Sequence, residues 1–117
     1  EKVGDVIGYS VRLDSKTSAR TRVTYCTIGI LLRRLISDPT LQGITHVIVD
    51  EVHERSLDSD MLLLLLKTVI TRRKDLQVIF MSATANAELF STYFRRGHSR
   101  PEDVIVSVPG KMFPVQQ

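Results

Sequence analysis

A single cysteine, Cys26, stands among the 117 residues. That excludes an internal disulfide, argues against a zinc cluster and fits a reducing compartment. The apolar run Met61–Leu66 is far too short to span a bilayer. No charged-then-apolar leader opens the chain, and no repeat or low-complexity stretch interrupts it. Also missing is any Gly-x-x-x-x-Gly-Lys-Thr/Ser, the loop that cradles phosphates through backbone N–H groups and a lysine. The first residue is Glu1 rather than Met, so the chain reads as a piece of a longer one. An intracellular place is expected, with cytoplasm and nucleus both open.

What is present is ordinary globular material. With 43% hydrophobic and 25% charged residues the chain can bury one core, which limits it to one domain or part of one. The net charge of +3 mildly favours a polyanionic partner such as nucleic acid.

Along the chain, Tyr9, Val11 and Leu13 alternate with Ser10, Arg12 and Asp14, which predicts a strand with one buried face. Asp14 to Thr21 is polar and reads as a loop, and Val23–Cys26 as a second short strand. Thr27 to Ser37 has Ile28, Leu31, Leu32, Leu35 and Ile36 at the spacing of one helical face, with Thr27 placed to cap it. Asp38-Pro39 stops that helix, because the residue before proline disfavours helical geometry. A strand is expected over Ile44–Val49, then a helix from Leu57 to Arg73. The middle of that helix, apolar all round, should pack between layers. A strand over Val78–Met81 follows. Next comes a helix capped by Asn86, burying Leu89, Phe90, Tyr93 and Phe94 and stopped at Gly97. A short strand over Val104–Val106 and an exit loop from Pro109-Gly110 complete the reading. Strands alternating with helices predict an α/β domain with a mostly parallel sheet. Right-handed crossovers would then bring Asp50 and Ser82 to one carboxyl edge, where open α/β sheets bind ligands.

The chemistry concentrates in Asp50-Glu51-Val52-His53-Glu54-Arg55, directly after the apolar run Val47-Ile48-Val49. Two adjacent acids at the end of a buried strand make sense in front of a divalent cation and a water. A carboxylate there can hold Mg²⁺ through water while the metal bridges phosphate oxygens, and Asp50 fits that role. A second carboxylate, Glu51, can orient and deprotonate the attacking water, and Glu51 also borders the metal site. The alternative for the four-residue core alone is a solvated acidic turn. Ser82-Ala83-Thr84, closing the apolar run Val78–Met81, supplies short hydroxyl residues that can reach the same network, although alone it would pass for a turn. His53-Glu54 begins a zinc-protease motif, but Leu57 stands where the second histidine would be. His53 is therefore expected to hydrogen-bond within the site. Arg33, Arg34, Arg72, Arg73, Arg95, Arg96 and Arg100 read as solvated helix ends.

These runs, in this order and at this distance, resemble motifs II and III of the DEAH/DExH-box RNA helicases. The resemblance covers nearly the whole chain. Gly8-Tyr9-Ser10-Val11-Arg12 is similar to the strand and hook-like turn before motif Ib, and Tyr25 to Arg33 to motif Ib itself. Pro109 to Val115 resembles the end of the first RecA-like domain. Val52 replaces the Ala of the family spelling and Ile28 the Asp often found in motif Ib, which points to the subgroup resembling RNA helicase A.

The resemblance implies a partial RecA-like, P-loop NTPase-type domain over 1–117, with its P-loop strand missing. The segment from about 107 would exit toward a second RecA-like domain. It implies ATP or another nucleoside triphosphate with Mg²⁺ as cofactors. Single-stranded RNA, gripped by its backbone at Thr27, Gly29 and Arg12, is the implied partner, along with the rest of the helicase chain. A plain helix cap remains open for Thr27 and a plain surface residue for Arg12. The parent would hydrolyse nucleotide to move along RNA. This piece alone would be inactive, because the phosphate loop and the arginine finger lie elsewhere. A non-catalytic RNA-binding scaffold and a DNA helicase are the alternatives. By the same analogy the missing strand pairs beside Val78–Met81, leaving an edge that should make the piece marginally stable and prone to aggregate.

Overall fold

The structure, a computed structural model, describes residues 2–83, 87–95 and 105–109. Residues 1–83 form one compact unit and 84–117 a second.

The first unit opens with β1 (Ile7–Val11) and β2 (Asp14–Lys16), an antiparallel hairpin in the register Tyr9↔Lys16, Ser10↔Ser15, Val11↔Asp14. The polar stretch expected to be a loop from Asp14 therefore begins as a strand. Leu13 makes the turn in a left-handed conformation, φ 73°, normally left to glycine. The Tyr9 hydroxyl donates to Asp14 Oδ2 at 2.7 Å across the hairpin. Gly8 is buried, and a Cβ there would collide with the Lys16 carbonyl oxygen. β3 (Val23–Cys26) lies parallel to β1 on its other side, giving the order β2-β1-β3. The buried face expected here is open: Val11 and Tyr25 are exposed, and Leu13 is 99% exposed in the turn rather than in the strand.

From β3 the chain enters α1 (Ile28–Ser37), with Thr27 extended at the N-cap position. Its C-terminal cap is Asp38, whose N–H donates to Arg34 O at 2.7 Å. Leu35 is buried, Ile28, Leu31 and Leu32 are half-buried, and Ile36 points to solvent, so the apolar stripe is narrower than its spacing predicts. A tight loop follows. Asp38 Oδ1 accepts from Thr40 N and Oγ1, and Asp38 Oδ2 from Gln42 N at 2.7 Å. The Thr40 hydroxyl, foremost among these groups, holds the Asp38 carboxyl below the usual range.

β4 (His46–Val49) buries Val47 and Val49 and exposes His46 and Ile48, the period-two pattern of a strand covered on one face. A single 3₁₀ turn, Val52–Glu54, leads to α2 (Leu57–Arg72). The Ser56 hydroxyl caps α2 by accepting from Ser59 N at 3.1 Å. α2 buries Ser59, Leu62, Leu63, Leu66 and Val69 while Met61 and Leu64 stay exposed. Its middle is thus packed on one face among the described residues, not between two layers as expected. β5 (Gln77–Phe80) runs parallel to β4 in the register His46↔Gln77 to Val49↔Phe80. The core of the unit is Leu35, Leu41, Val47, Val49, Val52, Leu62, Leu63, Leu66, Val69 and Leu76.

The α/β class and the parallel pairing hold, and the described strands form two sheets rather than one. In the second unit, α3 (Ala87–Arg95) sets the rings of Tyr93 and Phe94 edge to face at 5.1 Å. Phe90 and Phe94 are half-buried, but Leu89 and Tyr93 are exposed, against expectation. Residues 105–109 carry no regular secondary structure, so no strand forms over Ile105 and Val106. Asn86, Gly97, Val104 and the exit segment from Gly110 lie outside the described residues.

Candidate functional site

The site is set by the register of β4 against β5. The ladder continues past both strands: Met81 N donates to Val49 O at 2.9 Å and Val52 N to Met81 O at 3.1 Å. Both chains therefore leave the sheet at one carboxyl edge, Asp50 and Glu51 from β4, Ser82 and Ala83 from β5. Val52, 1% exposed, anchors the turn in the core while the acids on its N-terminal side remain exposed.

The backbone there is bent sharply. Glu51 (φ 53°) and Arg55 (φ 51°) are both left-handed and flank the 3₁₀ turn. Such conformations cost of order 1–2 kcal/mol each for residues other than glycine, and tend to mark sites where a side chain must be aimed. Here the bend brings the Glu51 carboxylate back onto its neighbour: Glu51 Oε2 lies 3.2 Å from His53 Nε2. On the other side of the ring, His53 Nδ1 faces Ala83 N–H at 3.4 Å. Because Nδ1 accepts, the ring proton belongs on Nε2, where it is donated to Glu51. The imidazole thus spans from the acid of the first loop to the backbone of the second. Asp50 Oδ1 accepts from Glu51 N at 2.9 Å, which orients its carboxylate.

At the far end of the turn, Arg55 grips Asp60 with two bonds, at 2.7 and 3.0 Å. That pair holds Asp60 below, and Arg55 above, their ordinary values. Both side chains are well exposed, so the pair orders the start of α2 more than it stabilises the fold.

No group of three or more metal-ligating side chains gathers among the described residues. A Mg²⁺ that keeps most of its waters and leans on phosphate oxygens does not need one. The solvent-facing, hard-oxygen carboxylates of Asp50 and Glu51 fit such an ion.

Thr27, Gly29 and Arg12 follow the strands β1 and β3 of the other sheet. Ser10 pairs with Cys26, so Arg12 and Thr27 leave β1 and β3 at the same edge. The Thr27 hydroxyl makes no capping hydrogen bond, which leaves it free of the plain cap role. Nothing lies within 4 Å of where a Gly29 Cβ would stand, so the first turn of α1 is open to a ligand. Arg12 is exposed in the hairpin turn. Thr84 lies outside the described residues.

One residue was misread from the sequence. Arg73, expected to be a solvated helix end, has a side chain only 19% exposed and donates to three loop carbonyls. The nearby Asp75, two residues on, was the local signal for it.

Comparison with known proteins agrees with this geometry. The model of the DEAD/DEAH box helicase family matches residues 2–91. The human protein DHX57 is 56% identical over 117 residues, all of this chain and 8% of its own length. The DExH-box ATP-dependent RNA helicase DExH1 of Arabidopsis thaliana is 49% identical over 117 residues, again all of this chain and 11% of the relative. Among solved structures, the E. coli DExH-box NTPase HrpB superposes with a TM-score of 0.69 at 45% identity, over 72% of this chain and 10% of that one. The chain therefore spans about a tenth of the proteins it matches.

Proposed function

The chain belongs to the DEAD/DEAH box helicase family, and from that premise we infer that it is part of an RNA helicase motor driven by nucleoside triphosphate hydrolysis. The observation that supports this best is the His53 bridge, which joins Glu51 to the Ala83 backbone across the paired carboxyl ends of β4 and β5.

In this reading Asp50 holds Mg²⁺ through water, with Glu51 at the border of the same site. The ion, when bound, neutralises charge on the phosphates of ATP or another nucleoside triphosphate. Glu51 is the general base: its carboxylate orients the attacking water and takes its proton. His53 steadies that carboxylate with its Nε2 proton and ties it to the backbone of Ala83. A shift of that backbone would then be felt at the base. Thr27, the open first turn at Gly29, and Arg12 face the RNA backbone, using a hydroxyl, backbone N–H groups and a guanidinium. RNA rather than DNA is preferred because the relative DExH1 is an RNA helicase. The 117 residues contain no phosphate-cradling glycine-lysine loop, so turnover is assigned to the longer protein and not to this segment alone.

The test is Glu51→Gln in the full-length protein. Nucleotide binding should persist while turnover falls about 10²-fold or more, the scale of a catalytic base. Turnover near that of the unsubstituted protein would remove Glu51 from this role. RNA binding that is salt-dependent but indifferent to nucleotide would instead favour a non-catalytic scaffold.

A further inference from the structure

Arg73 sits immediately after α2, its N–H donating to Val69 O at 2.8 Å. Its guanidinium has five N–H donors, and all five are used. Nη1 donates to Thr40 O at 2.8 Å and Leu41 O at 2.9 Å. Nη2 donates to Ile44 O at 3.0 Å and to Asp75 Oδ2, and Nε to Asp75 Oδ1. The three carbonyls belong to the loop that joins the end of α1 to the start of β4.

That loop is held from two further sides. Asp38 collects Thr40 N, Thr40 Oγ1 and Gln42 N. Leu41 is left-handed (φ 51°) and wholly buried, so the backbone bends to drive its side chain into the core. β5 is tied to the same place, since Gln77 N donates to Thr45 O at 2.9 Å. One side chain therefore fastens the α1–β4 loop, at Thr40, Leu41 and Ile44, to Asp75 in the α2–β5 connection, beside the bond that ties β5 to Thr45.

The two ends of this assembly are the two proposed sites. α1 carries Thr27 and Gly29 at its N-terminus, and β4 carries Asp50 and Glu51 at its carboxyl end. A helix moves nearly as a rigid rod, so a push on its first turn displaces its last. A loose connection would absorb that displacement; a knotted one passes it to the strand. We propose that Arg73 is a positioning residue that couples RNA engagement at α1 to the nucleotide site at the end of β4. This rests on the helicase reading given above.

The experiment uses the full-length protein and measures turnover with and without single-stranded RNA. Both are measured well below the melting temperature of each variant, where the protein is folded with and without RNA, so a loss of stability alone leaves the ratio unchanged. Arg73→Lys keeps the charge but has three donors and no planar fork. It should lower the ratio by about fivefold or more, with basal turnover and the half-saturating RNA concentration within about twofold of the unsubstituted protein. Asp38→Ala loosens the loop without removing any hydrogen-bond partner of Arg73 and should lower the ratio in the same direction by a smaller factor. It decides alone if Arg73→Lys does not fold. Ratios that stay within about twofold in the folded variants, even as the melting temperature drops, would overturn the coupling and leave Arg73 a structural clamp. An unsubstituted protein whose turnover RNA does not raise would overturn the helicase reading, and the coupling with it.

Discussion

The β4–β5 half and the β1–β3 half of the same unit are held together differently. β4 rests on a packed core in which Leu41, Leu66 and Leu76 are 0% exposed, and its inward residues are valines. The β1–β3 sheet has strand residues that are mostly open, with Val23 at 49% and Tyr25 at 69% exposure. Its order comes from the ladder, from Tyr9–Asp14, and from loop bonds such as Thr21 Oγ1 to Gly4 O at 2.9 Å. The acids sit on the half that is rigid by packing. The residues assigned to RNA sit on the half fixed by hydrogen bonds, whose apolar face is uncovered. Aiming a water at a phosphorus needs the first kind of support; following a flexible strand tolerates the second.

Substitutions can break this contrast. Leu66→Ala removes a wholly buried side chain and should destabilise the unit by about 2–5 kcal/mol in chemical denaturation. Val23→Thr, on the open sheet, should stay within about 0.5 kcal/mol. If the longer protein covers that face, the Val23 cost should grow there while the Leu66 cost stays the same. Equal costs in the segment would erase the distinction.

The smallest effect is expected at the exposed Arg55–Asp60 pair. Asp60 is held below its ordinary value by Arg55, so any stability it contributes is present above the unfolded-state carboxyl range and is lost as pH falls through the folded value. Asp60→Asn should therefore flatten a slight acid-side decline in melting temperature and change little near neutral pH. A large loss at neutral pH would mean that the pair is structural.

Much of this was legible in the sequence, for identifiable reasons. The runs ending at Val49 and Phe80 are β-branched or apolar and short, so strands could be read and the acids and Ser82 placed at their ends. α1 announced itself by helical spacing and by Thr27 before it, and α2 by its long apolar run. β2 was not legible, because its turn uses Leu13 in a left-handed conformation without the glycine or asparagine that usually signals one. Nor was the division into two sheets, since strand neighbours are decided by long-range packing. Arg73 was missed because its partners lie 29 to 33 residues away and are backbone carbonyls, which no side-chain pattern records.

The most direct measurement is a structure of the full-length protein with Mg²⁺ and a non-hydrolysable nucleotide. The carboxylate at 50 should accept from a metal-bound water, and the one at 51 should lie about 2.6–3.2 Å from the water in line with the terminal phosphate. A triphosphate bound elsewhere, with both side chains in bulk solvent, would contradict the account.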